Sequence, residues 1–142
     1  MLTLAIIKPD AVAARHTGKI ITHLEGEGFQ IREAQMVRLT TERAQSFYEV
    51  HKERPFFQPL VSFMTSGPAL ALALEREDAV THLRKVIGAT DPAQAEAGTI
   101  RKLYAESKGR NVIHASDSPE NAAREVGFFF PEGELAGLWG EA

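Results

Sequence analysis

One of the five histidines stands where chemistry would need it. His114 closes the apolar pair Val112 and Ile113 and opens onto Ala115, Ser116, Asp117 and Ser118, with Pro119 and Glu120 following. Branched apolar residues running into a polar turn predict a chain that leaves the core and halts at a helix start. Ser118 is a preferred N-cap residue, and Pro119 suits the first helical position. Such a helix would present free backbone N–H groups and the positive end of its dipole close to the imidazole. Glu125, two turns further on, could accept a hydrogen bond from one ring nitrogen, fixing the tautomer and leaving the other nitrogen free to attack. Read on residue types alone, His114 is more simply a histidine packed at a strand end, and Glu125 a solvated helix residue.

Three cations invite the same question. Lys8 ends an apolar run, where a solvated lysine is less expected, while Arg84 projects from a helix near a long loop that itself carries Arg101. A guanidinium is a planar fork that matches phosphate oxygens. Surface pairing is the simpler reading of each. The other histidines, His16, His23, His51 and His82, lack metal-ligand spacing. The phosphate-loop pattern is missing, because "TGKI" has neither the earlier glycine nor the following hydroxyl; "GEGFQI" lacks a third glycine and precedes a strand, so it reads as a turn.

These groups must be positioned by the surrounding elements. Residues 2–7 form a short apolar run ended by Pro9, which predicts a buried strand. Ile20, Ile21 and Leu24 place a helix over 17–27, stopped by Gly26 and Gly28. Residues 29–39 read as a strand whose alternation slips near Glu33, as a bulge would make it do. Thr40 caps a helix carrying Ala44, Phe47, Tyr48 and His51, which Pro55 breaks; 57–65 predicts another short helix, and 69–74 a central strand. Asp78 caps a helix that Gly88 ends. Residues 89–110 show no sustained periodicity, and a stretch of that length in a compact domain is commonly functional. The helix after Ser118 is expected to end at Gly127, with a last strand over 128–130 and a loose tail over 134–142. That order suits one domain with one antiparallel sheet covered by helices.

Composition narrows the classes. The 142 residues suffice for one domain with its own core. With no cysteine there is no disulfide, thiolate nucleophile or cysteine-bound zinc, and no metal-ligand set is assigned. Sixteen Lys+Arg against nineteen Asp+Glu, without a basic run, disfavour charge-driven nucleic-acid binding. No run of eighteen apolar residues exists, and the apolar stretch before Lys8 is too short for a signal peptide. The expectation is a soluble cytoplasmic protein without membrane or specific nucleic-acid partners.

Six stretches in order, "IIKPD" (6–10), "RPFF" (54–57), "TSGP" (65–68), "GATDP" (88–92), "GTIR" (98–101) and "RNVIHASDS" (110–118), resemble the nucleoside diphosphate kinases along nearly the whole chain. The resemblance implies a ferredoxin-like α/β sandwich, with a four-stranded antiparallel sheet. It implies ping-pong transfer of the γ-phosphate of a nucleoside triphosphate to a nucleoside diphosphate through a phosphohistidine, with Mg²⁺ carried on the nucleotide phosphates. Matched residue by residue, the phosphate-accepting histidine falls on His114, the orienting glutamate on Glu125 and the neighbouring serine on Ser116. Lys8 and Tyr48 line the transfer site, Arg84, Thr90 and Arg101 contact phosphates, Asn111 holds the ribose and Phe56 stacks on the base. An aromatic face tolerates every base, so broad base specificity is expected; Phe57 is then the neighbour that packs. The resemblance also implies a homo-oligomer, tetramer or hexamer.

The chain departs from the family pattern in places. Ala115 follows the histidine where glycine is usual, Lys102 and Leu103 follow "GTIR" where Gly-Asp is usual, and Ala11 replaces a common glycine. A positive φ at Ala115 would be costly. Two other readings compete with the enzyme: a catalytically dead nucleotide-binding relative, and a nucleic-acid-binding ferredoxin-like domain. The intact His114, Lys8 and Glu125 weigh against the first, the acidic balance against the second.

Overall fold

The computed structural model describes residues 1–131. The elements in chain order are β1 (Leu2–Ile7), α1 (Pro9–Ala13), α2 (Thr17–Gly26), β2 (Gln30–Val37), α3 (Thr41–Phe47), a 3₁₀ turn (Glu49–His51), α4 (Phe57–Met64), β3 (Ala69–Glu75), α5 (Ala79–Ile87), α6 (Ile100–Tyr104), β4 (Ile113–Ala115) and α7 (Pro119–Phe129). The strands form one sheet in the order β2-β3-β1-β4, every neighbour antiparallel. This is the ferredoxin-like α+β arrangement.

The alternation of side chains along the central strands builds two cores. In β3, "ALALALE", the leucines Leu70, Leu72 and Leu74 face one side, where Ala5 and Ile7 of β1 join them against α2 and α5. The alanines Ala69, Ala71 and Ala73 face the other side with Leu4 and Ile6. Their small side chains leave room there for Phe47, Phe57, Met64 and Phe129 from α3, α4 and α7. Leu72 and Leu74 have no exposed surface, so truncating either to alanine would cost about 2–5 kcal/mol.

Most expected elements are present, including the register shift between Ile31 and Glu33. Thr40 accepts from the Arg43 N–H as an N-cap, and Ser118 does the same for Asn121. Asp78 sits at the N-cap of α5, but its side chain makes no capping bond and pairs instead with Arg76.

Three expectations need correction. The fourth strand is β4, which carries His114 itself, and not residues 128–130. Helix α7 runs through the exposed Gly127 to Phe129, because Phe129 and Phe130 bury themselves against the aromatic core as its final turn. The stretch 89–110 is not without structure: Thr99 caps α6 by accepting from Lys102 N. Gly88, at φ 89°, sends the chain out of α5, and a Cβ there would lie 2.5 Å from the Thr99 hydroxyl, so only glycine allows the two segments to meet. Short α1, begun by Pro9, was not expected from a proline taken only as a strand end. The tail over 134–142 lies outside the described residues. Among the described residues no helix is long and apolar enough to cross a membrane.

Candidate active site

His114 pairs with Ile6 in the middle of three-residue β4, so its side chain points to the aromatic side of the sheet. There it meets the edge of Phe47 at 5.4 Å and of Tyr48 at 6.1 Å between ring centroids. Across from it, α7 presents the buried stripe Ala122, Glu125, Val126 and Phe129. Glu125 is the charged residue of this stripe and only 6% exposed, which excludes a solvated-face reading. Its Oε1 lies 2.8 Å from His114 Nε2 and 2.7 Å from Ser116 Oγ, which donates to it. Arg124 approaches Oε2 at 3.5 Å and also donates to the Phe47 carbonyl. Arg124 escaped the sequence reading; its adjacency to Glu125 was the available signal.

The electrostatics suit a nucleophile. Burial lowers the His114 pKa below its ordinary 6.5, and Lys8 and Arg101 push the same way against the Glu125 carboxylate. Burial pushes the Glu125 carboxyl up, but the hydrogen bond and charge of His114, the Ser116 hydroxyl and Arg124 outweigh it and hold the group below the usual carboxylate range. Near pH 7 the pair is therefore a neutral imidazole beside a carboxylate. With Nε2–H donated to Glu125, the lone pair belongs to Nδ1. Burial, then the Glu125 charge, raise the Tyr48 phenol well above its usual range, and its buried hydroxyl has no hydrogen-bond partner among the described residues.

The cations converge next to the imidazole. Lys8, 6% exposed, is the N-cap residue of α1 and donates through Nζ to Asn111 Oδ1 at 2.8 Å. Burial and the nearby Arg101 lower it to about 8, with Asp10 opposing them. Arg101 is equally buried and brought to about 10 by burial and by Arg84. Arg84 is exposed and donates to the Ala115 carbonyl at 3.3 Å. Cations held together against their own repulsion and desolvation mark a site for a polyanion. Arg101 also has a second duty: its guanidinium donates to the carbonyls of Gly88, Asn111 and Ile113. Three of its N–H groups are thereby committed to the backbone, leaving two of the five for a ligand.

Between Asn111 and His114 the chain makes an uncommon turn. Val112 has φ 65°, and Ile113 N–H donates to Asn111 O at 2.8 Å, closing a three-residue γ-turn. Such a conformation costs a β-branched residue on the order of 1–3 kcal/mol and persists only where its surroundings over-determine it. Asp10 Oδ2 accepts from Val112 N–H at 3.1 Å, and Lys8 N–H donates to Val112 O at 2.8 Å.

Eight of the sequence-predicted residues, Lys8, Tyr48, Arg84, Arg101, Asn111, His114, Ser116 and Glu125, are thus linked through hydrogen bonds, ring contacts or electrostatic coupling. No hydrogen bond or ring contact joins Phe56 or Thr90 to this group among the described residues. Phe56 is 44% exposed, flanked by His51 and Arg54, while Phe57 is buried as expected. Thr90 is exposed beyond Gly88. Ala115 does not have a positive φ; it is an ordinary strand residue paired with Ala5, so its methyl brings no backbone strain. Ala11 is fully buried in α1, and Lys102 and Leu103 are exposed on α6.

Fold and site together combine an α+β sandwich with a half-buried imidazole that is hydrogen-bonded to a buried carboxylate and lies near clustered cations. A family model for nucleoside diphosphate kinase matches residues 2–135. The chain is 54% identical to the nucleoside diphosphate kinase of Chlorobium limicola and 56% identical to that of Chlorobaculum tepidum, in both cases over 94% of this chain and 95% of the relative. The solved Aquifex aeolicus nucleoside diphosphate kinase superposes with a TM-score of 0.92 at 49% identity, covering 94% of this chain and 96% of that one. A halophilic nucleoside diphosphate kinase from Halobacterium salinarum, solved in complex with CDP, superposes at 0.90 with 38% identity, covering 98% of this chain and 97% of that one. The chain belongs to the nucleoside diphosphate kinase family and is an enzyme of the phosphotransferase class.

Proposed function

We propose that the protein transfers the γ-phosphate of a nucleoside triphosphate to a nucleoside diphosphate by a ping-pong mechanism, with His114 as the transient carrier. The observation that supports this most is the 2.8 Å contact of His114 Nε2 with the buried Glu125 carboxylate. In the first half-reaction Nδ1 attacks the γ-phosphorus, an N–P bond forms, and the bond to the β-phosphate oxygen breaks, releasing the diphosphate. In the second, a terminal phosphate oxygen of an incoming diphosphate attacks the same phosphorus and the N–P bond breaks. The Nε2 proton stays on the ring throughout, and Glu125 stabilises the positive charge that the ring gains on phosphorylation. Phosphoryl transfer asks of a protein mainly position and charge. Lys8, Arg84, Arg101 and Thr90 are assigned to the phosphates, Tyr48 and Ser116 to the transfer site and its orientation, Asn111 to the ribose and Phe56 to the base.

Mg²⁺ would arrive as part of the substrate, on the nucleotide phosphates. Exposed Phe56 offers a base only an aromatic face, so the enzyme accepts all bases. The CDP bound by the Halobacterium salinarum relative is in line with this reading. Steady-state rates measured at several donor concentrations should give parallel double-reciprocal lines. The kcat/KM values for ADP, GDP, CDP and UDP should span less than about a hundredfold, or ~2.7 kcal/mol; intersecting lines, or a wider span, would contradict the respective part of the reading.

The protein is further proposed to act in the cytoplasm as a homo-oligomer, tetramer or hexamer. Among the described residues edge strand β2 pairs only with β3, and it exposes Met36 at 53%; an open edge of this kind needs cover. Light scattering at micromolar concentration should report a mass several times that of one chain; a monomer would refute the assembly.

A further inference from the structure

We infer that Asp10 is a positioning residue: its carboxylate holds Val112 in the left-handed turn and thereby sets Asn111 and His114, on either side of that turn, for phosphoryl transfer. The inference rests on the phosphohistidine reading above. No role falls on Asp10 from sequence, although it stands in the quoted "IIKPD".

Three facts carry it. First, Val112 is β-branched at φ 65°, a conformation that such residues leave unless held. Second, the turn is held on every side. Arg101 takes the carbonyls of Asn111 and Ile113, Lys8 N–H takes that of Val112, and Asp10 Oδ2 takes the Val112 N–H. Val112 is buried, with 2% exposure, so water cannot replace that acceptor. Third, the flanking residues are the working ones. Asn111 meets Lys8 Nζ at 2.8 Å, and His114 meets Glu125 at 2.8 Å. Relaxation of Val112 toward negative φ would turn Asn111 away from Lys8 and shift the short strand β4 that carries the imidazole. Asp10 also keeps a second oxygen, Oδ1, buried without a hydrogen-bond partner among the described residues. A carboxylate held at that cost suits a group kept for what its other oxygen does.

A double-mutant cycle tests this. Asp10→Ala should slow single-turnover phosphorylation of His114 by about tenfold to a hundredfold, at a temperature where melting shows the variant folded. Asp10→Asn, whose amide oxygen can still accept from Val112 N–H, should stay within about threefold of the parent. In the Val112→Gly background, where a positive φ needs no clamp, Asp10→Ala should lose less than about threefold further. Amide exchange at Val112 should accelerate in Asp10→Ala and remain slow in Asp10→Asn. Should Asp10→Ala not fold, Asp10→Ser takes its place, its shorter side chain being unable to span the same gap. The inference is overturned by an Asp10→Ala rate within threefold of the parent, by equal losses in both backgrounds, or by an Asp10→Asn variant as slow as Asp10→Ala. If the parent never labels on His114, the functional reading fails; the Val112 exchange rates then still decide whether Asp10 holds the turn.

Discussion

The His114 end of the candidate site and its outer rim are built in opposite ways. His114, Glu125, Ser116 and Lys8 sit in or beside the core, and short hydrogen bonds fix each to its neighbour. Phe56, Thr90 and Arg84 are exposed, and the Phe56 ring lies against His51 and Arg54. The contrast matches the different physical tasks proposed for the two. Chemistry at phosphorus needs one tautomer and one geometry, and burial against a sheet and a helix supplies both. The proposed acceptance of any nucleoside asks for contacts that do not read base edges, and an exposed aromatic face offers one.

The contrast breaks most visibly at the nucleophile. His114→Ala should reduce nucleotide exchange by about 10⁴-fold or more while circular dichroism and nucleotide binding persist. Residual exchange near the parent rate would place the chemistry elsewhere. Glu125→Gln comes next, at roughly 10–100-fold in kcat, because an amide can present its N–H to Nε2 and favour the wrong tautomer. An unchanged kcat would return Glu125 to a packing role.

The pH dependence of kcat/KM sharpens the same end, since it reports the free enzyme. His114 must be neutral to attack, and its pKa is lowered by burial, so the rate should fall only as pH drops through a value below 6.5. Lys8 must be charged to hold phosphate, and burial brings it to about 8, so the rate should fall again as pH rises through that region. Each limb amounts to about tenfold per pH unit. An acid limb centred at or above 6.5, or a flat alkaline side, would contradict the assignment of these two groups. The smallest effect belongs to the rim. Phe56→Ala should raise KM by about tenfold, within the 1–3 kcal/mol of a stacking contact, equally for purine and pyrimidine diphosphates and with kcat little changed. A loss confined to one base would mean that the rim reads identity.

The sequence made the core strands, the capped helices and the bulge near Glu33 legible because each follows from local periodicity or a capping residue. It misplaced the last strand for a physical reason. β4 has three residues, too few for alternation to show, and the apolar 128–130 run has the same composition whether it ends a helix or forms a strand. The grouping of the candidate site residues was legible through the His114 and Glu125 pattern and, more fully, through the family resemblance. The left-handed Val112, the Asp10 bond to it and the backbone-holding half of Arg101 were not legible, because they arise from segments far apart in sequence meeting at one turn.

The proposed mechanism turns on His114 carrying the phosphoryl group on Nδ1. The protein should be incubated with Mg²⁺ and γ-labelled ATP, freed of nucleotide, and split in two for acid and base treatment. The label should be acid-labile and base-stable, map to the peptide containing His114, and leave as GTP on a chase with GDP; phosphorus NMR should place it on Nδ1. Label that survives acid, that persists in His114→Ala, or that GDP cannot discharge would contradict that mechanism.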